Sequence, residues 1–179
     1  VDQTLPVRMK VDGVRSDGGR RFMLDLTWEA EVPVPERHRA FLHFCDTGGE
    51  ILFQASQQSD PLREGTTGRF AVKATGSIPE DAKPGQEYEL VYGIYSPVSG
   101  GRLRLAGPDV GDQRIRAGHL VVQGEGERIS GVAWRPYVPK ADPYLERWNV
   151  DARPVDFGGI ETAGGCRLHR EGTSLVVTP

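Results

Sequence analysis

The 179-residue chain has few of the features that indicate a membrane segment, a nucleic-acid binder or a common enzyme class. None of its apolar runs approaches the ~18 residues that a membrane-spanning helix requires. Its 22 Lys and Arg residues are balanced by 25 Asp and Glu residues and form no basic run, which argues against nucleic-acid binding. It has neither a G-x-S-x-G nucleophile elbow nor a G-x-x-x-x-G-K phosphate loop. We therefore expect neither membrane insertion by this segment nor a nucleic-acid partner.

Cysteine is scarce, with Cys45 and Cys166 alone in the chain. The four histidines are scattered, and no Cys/His spacing of a structural zinc site occurs. We interpret both cysteines as buried free thiols, because cysteine often packs as a small apolar residue. A disulfide between them is the alternative if the parent protein is exported.

Turn-forming residues are abundant, and the segments between them alternate in polarity. The 23 glycines and 13 prolines are too many for a helical protein. Residues 22–30 alternate apolar and polar side chains, which predicts a half-buried strand with Trp28 in the core. Residues 39–45 predict a strand covered on both faces, and residues 88–105 predict a β-hairpin. Roughly eight strands are predicted before Gly124, at the spacing of an antiparallel β-sandwich.

The residues after position 123 differ in composition. Residues 124–127 predict a linker or turn, which divides the chain into a β-sandwich at 1–123 and an extension at 124–179. Both ends of the chain are strand-like, so we interpret it as a piece of a longer protein.

The extension is predicted to contain one short helix and a β-hairpin. Asp142 stands where an N-cap belongs and Pro143 at the first helical position, which predicts a helix over residues 141–148. Residues 166–170 and 174–177 alternate around a glycine turn and predict the hairpin. The alternative is that this hairpin begins a further β unit.

Three segments resemble one family: FLHFCDTGGEILFQ at 41–54, IPEDAKPGQEYELVYGIY at 78–95 and SGGRLRL at 99–105. The family is an immunoglobulin-like β-sandwich found as an accessory domain beside bacterial glycoside hydrolases and at the C-terminus of membrane glycosyltransferases. The residues that match its pattern are His43, Asp46, Gly49, Pro84, Gly85, Tyr88, Gly93, Tyr95, Gly101, Arg102 and Leu103.

The resemblance covers about residues 7–122 and departs at 63–67, where a Trp-containing stretch is usual in the family. It implies an all-β, immunoglobulin-like antiparallel β-sandwich within a larger bacterial carbohydrate-active protein, periplasmic or secreted. It implies a non-catalytic module that binds glycan or packs against the parent's catalytic domain. A structural or adhesion-type protein-interaction domain without a sugar ligand is the alternative.

An aromatic cluster is the one platform for a sugar that the sequence makes visible. Trp134, Tyr137, Tyr144 and Trp148 lie within fifteen residues, beside arginines and prolines. Such a density of rings off the main strands predicts a carbohydrate-binding edge. The alternative is that the rings pack the helix onto the sandwich, since aromatic side chains bury large areas.

Carboxylates are plentiful, but the sequence does not place a facing pair of the kind a glycosidase requires. Asp109 with Asp112, and Asp46 with Glu50, have the oxygen atoms that Ca²⁺ prefers. A turn-forming role is the preferred interpretation of all four. The sequence thus predicts no catalytic residue, no metal site and no cofactor.

His43 and Cys45 lie on one side of a predicted strand and raise the question of thiol chemistry. We expect the histidine to be hydrogen-bonded within the sheet, and the thiol to be unactivated, because no cationic setting for a thiolate is visible.

Overall fold

The computed structural model describes residues 4–34, 37–60 and 62–138, together with the backbone of three short strands between 160 and 178. None of these residues is helical, so the prediction of an all-β chain is confirmed for the part that the structure describes. Within residues 4–138 the strands are β1 (Val7–Ser16), β2 (Arg21–Ala30), β3 (Arg39–Cys45), β4 (Ile51–Gln57), β5 (Gly68–Ser77), β6 (Glu87–Tyr95), β7 (Arg102–Leu103), β8 (Ile115–Glu125) and β9 (Arg128–Pro136).

These nine strands form one antiparallel sheet in the order β1-β2-β5-β4-β3-β6-β8-β9, with β7 paired to the end of β6. The first and last strands of this path approach each other, and the sheet is nearly closed into a barrel. A Cβ on Gly131 of β9 would lie 3.0 Å from the Ser16 hydroxyl oxygen of β1. The interior of the curved sheet holds the core.

Alternation along the strands determines which side chains enter that core. In β2, Phe22, Leu24, Leu26 and Trp28 are buried, whereas the residues between them are half-buried. The predicted core position of Trp28 is confirmed, because its side chain is 0% exposed. Its ring meets the ring of Tyr92 on β6 edge to face, with centroids 5.6 Å apart. Each large apolar side chain buried in this way contributes about 1.5–3 kcal/mol to stability.

Strand β4 connects the two halves of the sheet. Its residues Ile51–Ala55 pair with β3, and its last two residues, Ser56 and Gln57, pair instead with Thr75 and Ala74 of β5. The chain therefore leaves one neighbour and joins the other within a single strand.

The structure extends the sheet beyond residue 123. Strand β8 runs through Gly124 to Glu125 and pairs with β9 in a tight hairpin, so residues 124–127 form a turn inside the sheet. Strand β9 was not predicted, because Gly131 and the half-buried Ala133 and Trp134 interrupt a simple alternation. The compact units that the structure defines are Val1–Val138 and Pro139–Pro179, instead of 1–123 and 124–179.

The second unit contains a three-stranded antiparallel sheet in the order β10-β11-β12. Its strands are β10 (Ile160–Glu161), β11 (Arg167–Glu171) and β12 (Ser174–Thr178). Strands β11 and β12 coincide with the predicted hairpin. The helix predicted at 141–148 lies outside the described residues.

Candidate functional site

The predicted aromatic cluster is only partly within the described residues. Trp134 lies on β9, half-buried and packed against the core, and a Cβ on Gly118 of β8 would come within 2.7 Å of its ring. Tyr137 follows β9, and the Arg116 guanidinium lies 5.2 Å from its ring centroid. Both rings therefore have protein neighbours on the sheet. Tyr144 and Trp148 lie outside the described residues, so carbohydrate binding by the four together stays a prediction.

The outer face near Tyr137 carries charges that pair with one another. Glu89 of β6 forms an ion pair with Arg116 of β8, and the His119 imidazole Nε2 lies 3.9 Å from the same carboxylate. Arg135 pairs with Glu87 across the neighbouring strands. Arg116 and Arg135 are therefore already engaged by protein carboxylates.

The carboxylates considered for calcium act mainly in turns. Asp46 Oδ1 accepts hydrogen bonds from the backbone N–H groups of Gly48 (2.9 Å) and Glu50 (2.8 Å). Asp109 Oδ1 accepts one from the Gly111 N–H at 2.7 Å. The turn-forming interpretation is confirmed for these two aspartates. No group of three or more metal-ligating side chains occurs among the described residues.

His43 and Cys45 do not form an activated thiol site. Cys45 is a free, buried thiol, and burial raises its pKa, which keeps the sulfur protonated. Burial, and then the charges of Arg102 and Arg114, lower the pKa of His43. The expected hydrogen bond within the sheet is absent at Nδ1, which is buried without a partner among the described residues. The ring of Phe41 instead stacks on the imidazole, with centroids 4.5 Å apart.

A polar cavity lies where β3 and β4 separate, and we call it the β3–β4 bay. It has a volume of about 420 Å³ and is lined by Arg37, residues 39–42 of β3, residues 54–57 of β4, residues 58–60 and Tyr95 of β6. Small-molecule sites typically enclose about 300–1,000 Å³. The bay therefore has the size of a site for one small ligand or one sugar unit.

The sheet topology creates the bay. Pairing of β3 with β4 begins at Leu42 opposite Ala55, and beyond Ala55 strand β4 turns towards β5. Leu62, which follows β4 in the chain, lies beside the start of β3. Its carbonyl accepts a hydrogen bond from the His38 N–H at 3.0 Å. Between these two contacts the strands stand apart, so the opening is bounded by backbone on both sides.

Two aromatic rings stand at the bay. Phe41 lies opposite Gly93 on β6 and covers it so closely that a Cβ on Gly93 would come within 2.3 Å of the ring. The Arg102 guanidinium lies 4.9 Å from the centroid of the same ring, which leaves Phe41 enclosed. Tyr95 is half-exposed, and within residues 4–34, 37–60 and 62–138 no other ring or guanidinium stacks on it. Tyr95 thus offers the more accessible ring face.

Most polar side chains of the bay have no hydrogen-bond partner in the described part of the protein. These side chains are Gln54, Ser56, Gln58, Ser59 and Arg39. Three lining side chains are engaged within the protein: the Gln57 Oε1 accepts a hydrogen bond from the buried Trp28 Nε1 at 2.9 Å, and Arg37 and Asp60 form an ion pair. The bay therefore combines one amide that is held by a hydrogen bond, that of Gln57, with amide and hydroxyl groups that have no hydrogen-bond partner among the described residues.

Sequence reasoning did not single out the bay. The sequence predicts the end of a strand at Gln54 and Ala55 followed by a polar loop, although the density of amide and hydroxyl side chains up to Asp60 is a usable signal. In the sequence, Tyr95 belongs to the family pattern, and no feature of its neighbours indicates a ligand platform. The missing information was that β4 changes partner after Ala55, which local alternation does not reveal.

Two further cavities have less suitable linings. One of about 660 Å³ lies at the β1–β2 turn and is lined by Phe22, Met23 and neighbouring residues. The other, of about 530 Å³, lies beside residues 109–113, where Arg102 already forms an ion pair with Asp112.

Comparisons with protein-family models, with curated protein sequences and with solved structures find no match to this chain. No helix that is long and apolar enough to cross a membrane occurs among the described residues.

Proposed function

We propose that this chain is a non-catalytic, immunoglobulin-like module of a larger bacterial carbohydrate-active protein outside the cytoplasm, and that it binds glycan in the β3–β4 bay. Packing against the parent's catalytic domain is compatible with this role. The proposal rests on the strand order, on the chemistry of the bay and on the sequence resemblance described above.

The strand order supports the immunoglobulin-like assignment. In that fold, strands A, B and E belong to one sheet and strands C, F and G to the other. The corresponding neighbours here are β1-β2-β5 and β3-β6-β8, with β4 between the two sets. Strand β9 is an addition at the edge next to β8.

The observation that carries the glycan assignment is the uncommitted polar lining of the bay beside an accessible ring. A sugar presents many hydroxyl groups that need hydrogen-bond partners, and amides such as Gln54 and Gln58 both donate and accept. The half-exposed Tyr95 ring offers an apolar face for the CH groups of a pyranose. An apolar ligand would leave these polar groups unpaired, which costs free energy.

The second candidate function is a structural or adhesion-type interaction domain without a sugar ligand. Two adjacent aliphatic side chains at the start of β4 favour it, since Ile51 is 41% exposed and Leu52 43% exposed. Exposed aliphatic groups of this kind contribute to protein contacts when they form part of a larger patch.

Titration calorimetry against a panel of neutral and acidic oligosaccharides tests the glycan proposal. Ring contacts contribute about 0.5–1.5 kcal/mol beyond area burial, so Tyr95→Ala should weaken binding about threefold to tenfold. Tyr137→Ala is the matched control, because this half-buried tyrosine lies away from the bay and should leave the affinity unchanged.

The outcomes separate the candidates. Loss of binding in Tyr137→Ala and Trp134→Ala, with Tyr95→Ala unaffected, would assign the ligand to the predicted aromatic cluster instead. No heat with any glycan, for protein that melts cooperatively, would contradict glycan binding and leave the interaction domain.

A further inference from the structure

The described residues that line the β3–β4 bay carry one positive charge in excess. Arg37 and Asp60 form an ion pair across it, with the Arg37 Nε 3.6 Å from the Asp60 carboxylate oxygen Oδ2. Arg39 has no acidic partner within 4 Å among the described residues. Among the described residues, two guanidinium groups and one carboxylate therefore line the bay, and the other polar groups of this lining are neutral.

Arg39 is placed beside the accessible ring. It lies directly opposite Tyr95 in the antiparallel pair of β3 and β6. Side chains of directly opposed residues share one face of a sheet, with Cβ atoms about 4.5–5.5 Å apart. A sugar ring resting on Tyr95 would thus hold its ring substituents within reach of the Arg39 guanidinium.

An exposed arginine is ordinary on a protein surface, and several others occur in this chain. Arg39 differs because it lines a cavity together with uncommitted hydrogen-bonding groups and an accessible ring. A guanidinium offers two parallel N–H donors, a geometry that matches both oxygens of a carboxylate. A neutral hydroxyl group forms a weaker hydrogen bond with these donors than a carboxylate does, since it carries no charge.

We propose that the bay selects an acidic glycan, namely one whose pyranose units carry a carboxylate, as uronic acids do. Arg39 binds the carboxylate, Tyr95 supports the ring, and Gln54 and Gln58 bind hydroxyl groups. Asp60, the carboxylate of the described lining, pairs with Arg37, so Arg39 has no acidic partner within the part of the bay that the structure describes. This inference rests on the proposed function and names the substrate class of the same site.

Calorimetric titrations with three probes test the selection: oligomers of galacturonate, of hyaluronan and of alginate. Each is compared with its carboxyl-reduced form, which keeps the ring and hydroxyl groups but has no charge. We expect at least one acidic oligomer to bind about tenfold or more tightly than its reduced form, as charge-assisted hydrogen bonds are the stronger kind. Raising the salt concentration should lower the affinity for the acidic oligomer and leave the affinity for its reduced form unchanged.

Substitution of the arginine identifies the group responsible. Arg39→Gln should reduce the affinity for the acidic oligomer to that for its reduced form, and should leave the affinity for the reduced form unchanged. Arg21→Gln is the matched control, because Arg21 is also an exposed strand arginine but lies outside the bay. Thermal melts of each variant establish that the domain remains folded.

The results distinguish failure of this inference from failure of glycan binding itself. Equal affinity for acidic and reduced oligomers would overturn the acid selection and leave the glycan module intact. Arg104 lines the cavity beside residues 109–113. An acid preference that persists in Arg39→Gln but disappears in Arg104→Gln would place the ligand in that cavity, and would also overturn this inference. If no acidic or neutral oligosaccharide gives a heat of binding, both proposals are overturned.

Discussion

Gln57→Leu should destabilise the protein because it leaves the buried indole N–H of Trp28 without a hydrogen-bond acceptor. The Gln57 side chain lies at the floor of the bay, and its Oε1 accepts the hydrogen bond of the Trp28 indole at 2.9 Å. Trp28 is 0% exposed, so the indole N–H has no access to water as a substitute acceptor. Leucine is similar in size but offers no acceptor, and the indole donor would remain buried and unpaired.

The magnitude follows from that unpaired donor. A buried polar group left without a partner costs about 1–3 kcal/mol, against a total stability of about 5–15 kcal/mol for a domain. Gln58→Leu is the matched control, because the neighbouring Gln58 is exposed and its side chain has no hydrogen-bond partner among the described residues. We expect this control to change stability by no more than about 0.5 kcal/mol.

A double-mutant cycle isolates the hydrogen bond. Trp28→Phe removes the donor, and the half-buried amide of Gln57 can then bond to water in the bay. In that background Gln57→Leu should cost about 1–2 kcal/mol less than in the unmodified protein. Urea unfolding with an unchanged m-value gives the free energies. Equal costs of Gln57→Leu in both backgrounds, or a cost no larger than that of Gln58→Leu, would refute the reasoning.

Two further predictions concern the outer face of β3 and β6. The pKa of His43 is lowered by burial, so below about pH 6.5 the unfolded chain binds a proton that the folded protein does not. The free energy of unfolding should therefore fall as the pH decreases from about 7 to 5. This fall should be smaller in His43→Gln than in the control variant His119→Gln. Denaturant unfolding at a series of pH values measures the free energies. Gly93→Ala should cost about 1–3 kcal/mol, because the new methyl group meets the Phe41 ring; Gly13→Ala, with no contact closer than 4.0 Å, is the control. Equal melting temperatures for the two glycine variants would contradict the close packing of Phe41.

Much of the fold was predictable from the sequence because alternation and turn residues act locally. The half-buried strand around Trp28 and the hairpin at β11 and β12 both lie where the sequence placed them. Each has a period-two pattern bounded by glycine or proline, and such a pattern needs no knowledge of distant partners. Strand β9 was not predicted because Gly131 interrupts its pattern. Pairing with residues 118–125 of β8 stabilises this strand.

The candidate site was less predictable because it depends on strands that meet only in the folded protein. Tyr95 and Arg39 are distant in sequence and become neighbours through the register of β3 and β6. Gln54 and Gln58 lie beside them because β4 changes partner. The sequence instead favoured Trp134 and Tyr137, which are close in sequence and conspicuous as rings. Density of aromatic residues along the chain does not report which ring faces are accessible.

The change of partner within β4 also restricts how this protein can vary. A shift of β4 by one residue would turn every side chain to the opposite face, and it would do so against β3 and β5 at once. Insertions within β4 are therefore poorly tolerated. The segment after it, from Gln58 to Asp60, borders the bay without belonging to a strand. Changes in its length or composition can reshape the bay while the register of both halves of the sheet is preserved, so this short segment is where new ligand specificities can arise at least cost to the fold.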